Sequence, residues 1–418
     1  MGPIQRRAVG VLAAVGGVTA AAAWALENRR YMRRITADPE YPFLSSPPTG
    51  REIDVTAADG TVLHAEVFGP EGAPTIVLAH GWTEALRFWL NQIDDLSRRD
   101  FRVVAYDLRG HGQSTKSPAG DYSIAAFGDD VEAVLRKCVP AGERAVLVGH
   151  SLGAMSIASW AERHPVTERV SAAGMVCTGV VDLLTEHMVF RPPRIPAAVF
   201  RPISAYVLGA PGTIPGFSPS ILDVVIRYVA FGPTAGPAQV AFYERMLREC
   251  PADVRAATAA AMSKMNLVGA LSRLTVPTLV LAGSQDRLTP PSHARRIAAA
   301  LPVPAEVVEL PLAGHMAPLE RPAEVNYWLR ALAARAAGNA APEAAAAPQA
   351  TAAPQATAAP QATAAPQATA APQATAAPQA AAAPEATAAP EATAAPEATT
   401  TPTSATARAA TSARPHAA

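Results

Sequence analysis

Short runs of apolar residues alternate with amphipathic stretches through the middle of the chain. Six of these runs are apolar almost throughout, as strands buried on both faces of a parallel sheet are; they lie at residues 75–79, 102–106, 145–149, 172–177, 277–282 and 306–310. Helix-like segments lie between them, at residues 84–98, 124–139, 152–163, 291–301 and 323–337. This alternation predicts an α/β fold, with a mostly parallel twisted sheet flanked by helices.

Two features interrupt the alternation. Residues 52–56 and 61–68 flank Asp59-Gly60, which is a β-hairpin signal. Residues 182–271 contain no good strand but several prolines and large apolar clusters, so we expect an inserted helical lid there. The prediction is therefore one domain at residues 50–337 with a lid at about residues 182–271.

The first 49 residues contain a hydrophobic segment and a linker. An uncharged run occupies residues 8–26, just long enough to span a bilayer as a helix, although alanine and glycine dominate it. A signal anchor, a cleaved signal peptide and a soluble alanine-rich helix all fit this run. We expect membrane association through residues 8–26, or export. By the positive-inside rule, the arginines that follow the run would place the C-terminal part of the chain in the cytoplasm. A signal peptide would place it on the opposite side of the membrane, so the sequence leaves the side open.

The last region, residues 338–418, is a hexapeptide repeat. Proline recurs every six residues from Pro342 to Pro402, in units such as P-Q-A-T-A-A. From residue 339 onward the segment lacks large apolar residues, and its prolines interrupt any helix that alanine would favour. We expect a disordered Ala/Pro/Thr tail that serves as a linker or tether, or simply as a solvated extension.

Charge and cysteine content exclude several classes of function. Lys+Arg and Asp+Glu both number 35, and this balance argues against a nucleic-acid binder, which needs a basic face. The three cysteines are too few and too scattered for a disulfide framework or a zinc site. No glycine-rich phosphate loop of the G-x-x-x-x-G-K-[ST] type is present. We expect no metal and no cofactor.

The strongest chemical signal is Gly149-His150-Ser151-Leu152-Gly153, which matches G-x-S-x-G. It directly follows one predicted strand and precedes one predicted helix, the context that this motif requires. A nucleophilic serine needs a sharp turn that exposes its Oγ, and the flanking glycines let the two backbones approach. We therefore predict Ser151 as a nucleophile.

A serine nucleophile needs a general base and a carboxylate that orients the base. His315 follows the last predicted strand and Asp286 follows the strand before it, so both fall on the carboxyl edge of the sheet with Ser151. Asp182, which opens the lid, is the alternative acid. The expected oxyanion donors are the backbone N–H groups of Leu152 and Trp82, and the Trp82 side chain either walls an acyl pocket or packs in the core.

These motifs resemble the α/β-hydrolase superfamily, and more specifically its serine-nucleophile, lidded members. The resemblance covers most of residues 50–337 and includes His80-Gly81-Trp82, the turn at residues 107–114 (DLRGHGQS), the G-x-S-x-G motif, and Asp286 with His315. In the turn, a pairing of Asp107 with Arg109 is expected to shape the loop, and His111 is expected to be a hydrogen-bonding residue rather than a base.

The resemblance implies an esterase- or lipase-like enzyme. Where dehalogenases and epoxide hydrolases of this superfamily carry aspartate, this chain has Ser151, which implies hydrolysis of carboxylic esters through an acyl-enzyme. The expected partner is a small-molecule ester. The many apolar residues of the lid favour an apolar acyl chain, and the same residues fit a plain lid core equally well. The alternatives are a cofactor-free haloperoxidase or perhydrolase, and a catalytically idle fold that acts as an envelope-tethered binding module.

Overall fold

The computed structural model describes residues 22–98, 100–183 and 219–338, with only the backbone given for Pro219 and Ser220. Most of the uncharged run at residues 8–26, the first part of the predicted lid and almost all of the repeat tail lie outside these residues.

The described strands form a single eight-stranded sheet in the order β1-β2-β4-β3-β5-β6-β7-β8. The strands are β1 Arg51–Thr56, β2 Val62–Phe68, β3 Thr75–Ala79, β4 Arg102–Tyr106, β5 Ala145–His150, β6 Val170–Val176, β7 Thr278–Gly283 and β8 Glu306–Leu310. Strand β2 pairs antiparallel with β1 and with β4, and every other pairing is parallel. The predicted α/β class, the hairpin and the mostly parallel sheet are confirmed.

Helices connect the strands and cover the sheet. In chain order they are α1 Tyr41–Ser45, α2 Leu90–Ser97, α3 Ile124–Cys138, α4 Leu152–Arg163, α5 Val166–Arg169, α6 Pro219–Ala230, α7 Pro237–Glu249, α8 Ala252–Met262, α9 Val268–Leu271, α10 Pro291–Ala300, α11 Ala317–Glu320 and α12 Pro322–Ala336. Residues 22–36 are also helical. The predicted helix at 84–98 is divided, because a 3-10 turn, Leu86–Trp89, precedes α2.

The sheet separates two hydrophobic cores. Ile76 and Leu78 of β3 belong to one core, whereas Val77 of the same strand belongs to the other, because successive side chains of a strand point to opposite faces. Apolar residues of α2 and α12 cover the first face, and those of α3, α4 and α10 cover the second. Burial on both faces explains why the central strands are apolar throughout.

The described part of the predicted lid region contains four of these helices, α6 to α9, between β6 and β7. We call helices α6 to α8 the cap. Large apolar residues of the cap lie in the first core, among them Val225, Ile226, Phe242 and Tyr243, together with Phe231 directly after α6. These residues therefore act as core, which was one of the two interpretations of the sequence. Val224 and Ile221 of α6 are exposed instead.

The segment before the sheet packs against the cap. Tyr31, Ile35 and Leu44 are buried in the first core, and the Tyr31 hydroxyl donates to Glu244 of α7 at 2.9 Å. In the part of the chain that the structure describes, no helix has the length and hydropathy needed to cross a membrane.

Candidate active site

Ser151 lies at the corner between β5 and α4 in a strained backbone conformation. Its φ is +47° and its ψ is −113°, a region that residues other than glycine rarely adopt. The Ser151 N–H donates to the carbonyl of Val176 at 3.0 Å, which holds the corner against β6. The corner therefore has the sharp turn that the motif predicts.

The two glycines of the motif allow close backbone contact. A Cβ on Gly149 would lie 2.4 Å from the amide nitrogen of Ala154, and a Cβ on Gly153 would lie 2.3 Å from the carbonyl oxygen of Ala79. Helix α4 thus begins directly against the carboxyl end of β3. This contact brings Ser151 beside the loop that follows β3.

Asp286 and His315 form a buried hydrogen-bonded pair at the carboxyl ends of β7 and β8. The Nδ1 of His315 lies 2.8 Å from Oδ2 of Asp286. The same oxygen accepts the Thr289 hydroxyl at 2.8 Å, and Oδ1 accepts the backbone N–H groups of Leu288 and Thr289, each at 2.8 Å. The carboxylate is thereby fixed, and it fixes His315 as the tautomer with hydrogen on Nδ1.

The Asp286 carboxylate and the protonated His315 ring stabilise each other's charge. Burial acts to lower the pKa of His315, but the charge of Asp286 and its hydrogen bond outweigh this effect, so the pKa lies above its usual value. Burial acts to raise the pKa of Asp286, and His315 together with Thr289 outweighs it, so that pKa is lowered. The pair thus favours an imidazolium next to a carboxylate, the state that a general base reaches when it takes a proton.

His150, which directly precedes Ser151, contacts His315. The Nε2 of His150 lies 2.9 Å from the His315 carbonyl oxygen, and the two ring centroids are 4.9 Å apart. Because Nδ1 of His315 is engaged by Asp286, Nε2 is the nitrogen left for a substrate or for Ser151. Within the described residues the Ser151 hydroxyl makes no hydrogen bond.

The alternative acid, Asp182, lies elsewhere. Its carboxylate is half exposed and 3.9 Å from the guanidinium of Arg296. Asp286 therefore occupies the place beside the imidazole that a triad acid needs.

The backbone N–H groups predicted as oxyanion donors are those of Leu152 and Trp82. Leu152 is the first residue of α4, and the first amides of a helix have no intrahelical acceptor. Neither N–H donates a hydrogen bond to any residue that the structure describes. The two groups are thus available to a ligand at this end of the sheet.

The loop after β3 is anchored to the cap. The Trp82 indole N–H donates to the carbonyl of Arg255 in α8 at 3.2 Å, and the Thr83 hydroxyl lies 3.0 Å from that of Tyr243 in α7. Thr83 has a φ of +64°, which is unfavourable for a β-branched residue. The Trp82 side chain thus connects the loop to the cap and packs against the second core.

The turn after β4 differs from the prediction in one pairing. Arg109 binds Asp130 of α3 through two bonds of 2.7 Å and also binds Asp59, whereas Asp107 accepts the N–H groups of Leu86 and Gln113. The predicted pairing of Asp107 with Arg109 is therefore wrong. The guanidinium of Arg109 binds both oxygens of Asp130 and a third oxygen on Asp59, which stabilises it more than a single bond to Asp107 would. Asp107 instead holds two backbone N–H groups of the neighbouring loops.

His111 of the same turn is a hydrogen-bonding residue. Its Nδ1 lies 3.0 Å from the carbonyl oxygen of Arg109. Burial lowers the pKa of His111 to about 4, so the ring stays neutral. This agrees with the predicted structural role.

Three polar residues at the site, the buried Glu84 and His150 and the partly buried Glu320, carry no signal in the sequence pattern. Glu84 and His150 contact each other with Nδ1 of the ring 3.0 Å from the carboxylate. Glu320 accepts the N–H groups of Gly232 and Gly314 at 2.7 and 2.9 Å, and burial raises its pKa to about 7. His150 lies inside the G-x-S-x-G motif, but nothing in the pattern indicates partners 66 or 165 residues away.

The chain is similar in sequence to a known protein family and to individual members with described activities. A sequence model of the alpha/beta hydrolase family matches residues 76–326. The chain is 29% identical over 249 residues to the bifunctional esterase/perhydrolase of Acinetobacter calcoaceticus, a match that covers 56% of this chain and 83% of that protein. It is 30% identical over 260 residues to a non-heme haloperoxidase of Rhodococcus erythropolis, covering 59% and 86%.

One solved structure with a related fold is the enol-lactonase from Burkholderia xenovorans. It shares 26% sequence identity and a TM-score of 0.52, and the match covers 66% of this chain and 98% of that chain.

Proposed function

Because this chain belongs to the alpha/beta hydrolase family, we propose that it is a serine hydrolase that cleaves carboxylic esters through an acyl-enzyme on Ser151. The observation that carries the proposal is the buried Asp286–His315 hydrogen bond of 2.8 Å at the sheet edge that also holds Ser151. An esterase among the relatives and a lactonase among the similar structures support this chemistry.

In the proposed first step, Ser151 Oγ attacks the ester carbonyl carbon while its proton passes to Nε2 of His315. Asp286 stabilises the imidazolium that forms. The tetrahedral intermediate collapses, His315 returns the proton to the departing alkoxide, and the alcohol leaves. Water then loses a proton to His315 and attacks the acyl carbon, which releases the acid and restores Ser151.

Negative charge on the substrate oxygen is stabilised by the N–H groups of Leu152 and Trp82. The positive end of the α4 dipole adds to this stabilisation. Removal of a single donor of this kind typically costs ~10²–10³ in rate. The anchoring of Trp82 and Thr83 to the cap supports this role, since a donor must be held before charge develops.

The proposed substrate is a small-molecule ester, and the preference for an apolar acyl chain stays a prediction, because the apolar cap residues named above are buried in the core. Hydrolysis of p-nitrophenyl esters of graded chain length tests both the ester hydrolysis and the acyl-chain preference, with Ser151→Ala as the inactive variant. Asp182→Asn serves as the matched control for Asp286→Asn, because both changes convert an aspartate to its amide. Turnover by Ser151→Ala at the wild-type rate would overturn the proposal. A folded wild type that neither hydrolyses esters nor reacts with a fluorophosphonate would favour the binding-module alternative.

A second candidate is perhydrolysis, which the haloperoxidase and the esterase/perhydrolase among the relatives favour. Hydrogen peroxide would replace water in attacking the acyl-enzyme, giving a peracid that then oxidises halide to hypohalous acid. Halogenation that requires peroxide and a carboxylic acid, in the absence of ester turnover, would support this candidate over the first.

Membrane association through residues 8–26 is also part of the proposal. The helix at residues 22–36 exposes Trp24, Leu26 and Met32, together with four arginines, and such side chains suit a lipid interface; the arginines are Arg29, Arg30, Arg33 and Arg34. Co-sedimentation with anionic vesicles, for the full chain and for one that begins at residue 22, tests it. Equal recovery of both in the supernatant would contradict it.

A further inference from the structure

Glu84 and His150 form a buried polar pair that the proposed mechanism does not use. Glu84 is 2% exposed and His150 is fully buried, between the loop after β3 and the corner that carries Ser151. The ring of Phe88 lies over that of His150, with centroids 4.5 Å apart. A charged or polar pair in so apolar a place is costly unless its hydrogen bonds are complete.

Both ring nitrogens of His150 face oxygen acceptors. Nδ1 lies 3.0 and 3.1 Å from the two carboxylate oxygens of Glu84, and Nε2 lies 2.9 Å from the carbonyl oxygen of His315. A carbonyl oxygen can only accept, so Nε2 must carry hydrogen. A second proton must then lie between Nδ1 and the carboxylate, because a bare nitrogen and a bare carboxylate would repel each other. The pair therefore carries two protons, one on Nε2 facing the His315 carbonyl and one between Nδ1 and the Glu84 carboxylate.

The other end of the pair holds the loop after β3. Oε2 of Glu84 accepts the N–H of Gly81 at 2.5 Å, one residue before the proposed oxyanion donor Trp82. A Cβ on Gly81 would lie 2.8 Å from Nδ1 of His150 and 2.9 Å from Oε2 of Glu84, so only glycine allows this approach. The chain of contacts thus runs from Gly81 through Glu84 and His150 to the backbone of His315.

We propose that Glu84 and His150, bridged by a proton, are positioning residues for ester hydrolysis. The inference rests on the proposed function. One end of the pair orients the peptide that precedes Trp82, the middle adjoins Ser151, and the far end fixes the backbone of His315. The pair therefore holds the oxyanion donor and the base at a constant distance from the nucleophile, and neither member touches the substrate.

Kinetics of two Glu84 variants test this role. Glu84→Ala removes the contacts, and we expect kcat to fall by about 10², the typical cost of a misplacement of about 1 Å, with KM changed less than about threefold. Glu84→Gln keeps an acceptor for the Gly81 N–H and a donor for Nδ1, so it should recover most of the lost kcat. The control is Glu132→Ala, since Glu132 is a buried carboxylate that accepts the Trp160 indole N–H at 2.8 Å, away from the site.

A kcat of folded Glu84→Ala within threefold of wild type, or an equal loss in Glu132→Ala, would overturn the proposal. Proton NMR of the wild-type chain gives a second test that needs no stable variant. We expect two deshielded, exchange-protected protons beside the His150 ring, assigned in the wild-type chain by nuclear Overhauser effects to the carbon-bound protons of that ring. A single such proton would contradict the pairing. Ester turnover by Ser151→Ala at the wild-type rate would refute the proposed function instead, and the proton count would still test the pair.

Discussion

Replacement of Asp286 by asparagine is the most informative single change at the candidate site. The two oxygens of Asp286 have different partners: Oδ1 accepts two backbone N–H groups, from Leu288 and Thr289, and Oδ2 lies 2.8 Å from Nδ1 of His315. An asparagine must place its only oxygen at the Oδ1 position to keep the two backbone bonds. Its NH₂ group then takes the Oδ2 position and faces the imidazole.

The consequence is an inverted tautomer. An NH₂ group donates to Nδ1, so the hydrogen of neutral His315 moves to Nε2, which then has no lone pair to accept the Ser151 proton. Loss of the correct tautomer in a serine–histidine–aspartate triad lowers kcat by ~10⁴. At ~1.36 kcal/mol per factor of ten, this corresponds to about 5.5 kcal/mol of transition-state stabilisation.

The assay is kcat and KM on a short p-nitrophenyl ester, together with the rate of fluorophosphonate labelling, for Asp286→Asn and the control Asp182→Asn. We expect a fall of about four orders of magnitude in kcat for Asp286→Asn, a similar fall in the labelling rate, and near-wild-type values for the control. A loss of less than tenfold in a folded Asp286→Asn protein would refute the assignment of Asp286 as the orienting acid.

Other predictions follow from the same geometry. Because Asp286 raises the pKa of His315 and the base must be neutral, kcat/KM should rise with pH along an acid limb centred above the ordinary value of about 6.5, and a midpoint below 6 would contradict this. Gly153→Ala should lower the thermal midpoint, since the new Cβ would lie 2.3 Å from the carbonyl oxygen of Ala79, and an unchanged midpoint in a thermal melt would disprove the close contact. Burial raises the pKa of Glu320 to about 7, so the folded protein keeps a proton on Glu320 that the unfolded chain releases at lower pH. The free energy of unfolding should therefore fall as pH rises from about 4.5 to about 7. Glu320→Gln should flatten this pH dependence in denaturant titrations, and an identical dependence would show that Glu320 is not responsible.

The sequence was most informative for buried strands, where nearly every position must be apolar. The run TIVLA at residues 75–79 matches β3 at both ends, because a strand covered on both faces must be apolar at each position. Asp286 and His315 follow strands at the same edge of the sheet, and parallel strands bring such positions together. Their contact was therefore predictable from strand order, although their distance of 2.8 Å was not.

Side-chain partners that are distant in the chain were harder to predict. Arg109 binds Asp130 rather than its neighbour Asp107, and the sequence carries no signal for a contact that depends on how α3 packs on the sheet. The Glu84–His150 pair is similar, since it depends on the close approach of the loop after β3 to the corner at Ser151. The 3-10 turn before α2 was also missed, because Asp107 accepts the Leu86 N–H there and local propensity does not reveal such a bond.

Trapping the acyl-enzyme tests most directly whether Ser151 is the nucleophile. Wild-type protein mixed rapidly with a p-nitrophenyl ester and quenched in acid should show a burst of p-nitrophenol and, by intact-protein mass spectrometry, one added acyl group that peptide mapping assigns to Ser151. Ser151→Ala should show neither. An acyl group found on another residue, or ester turnover in Ser151→Ala with wild-type kinetics, would show that Ser151 is not the nucleophile.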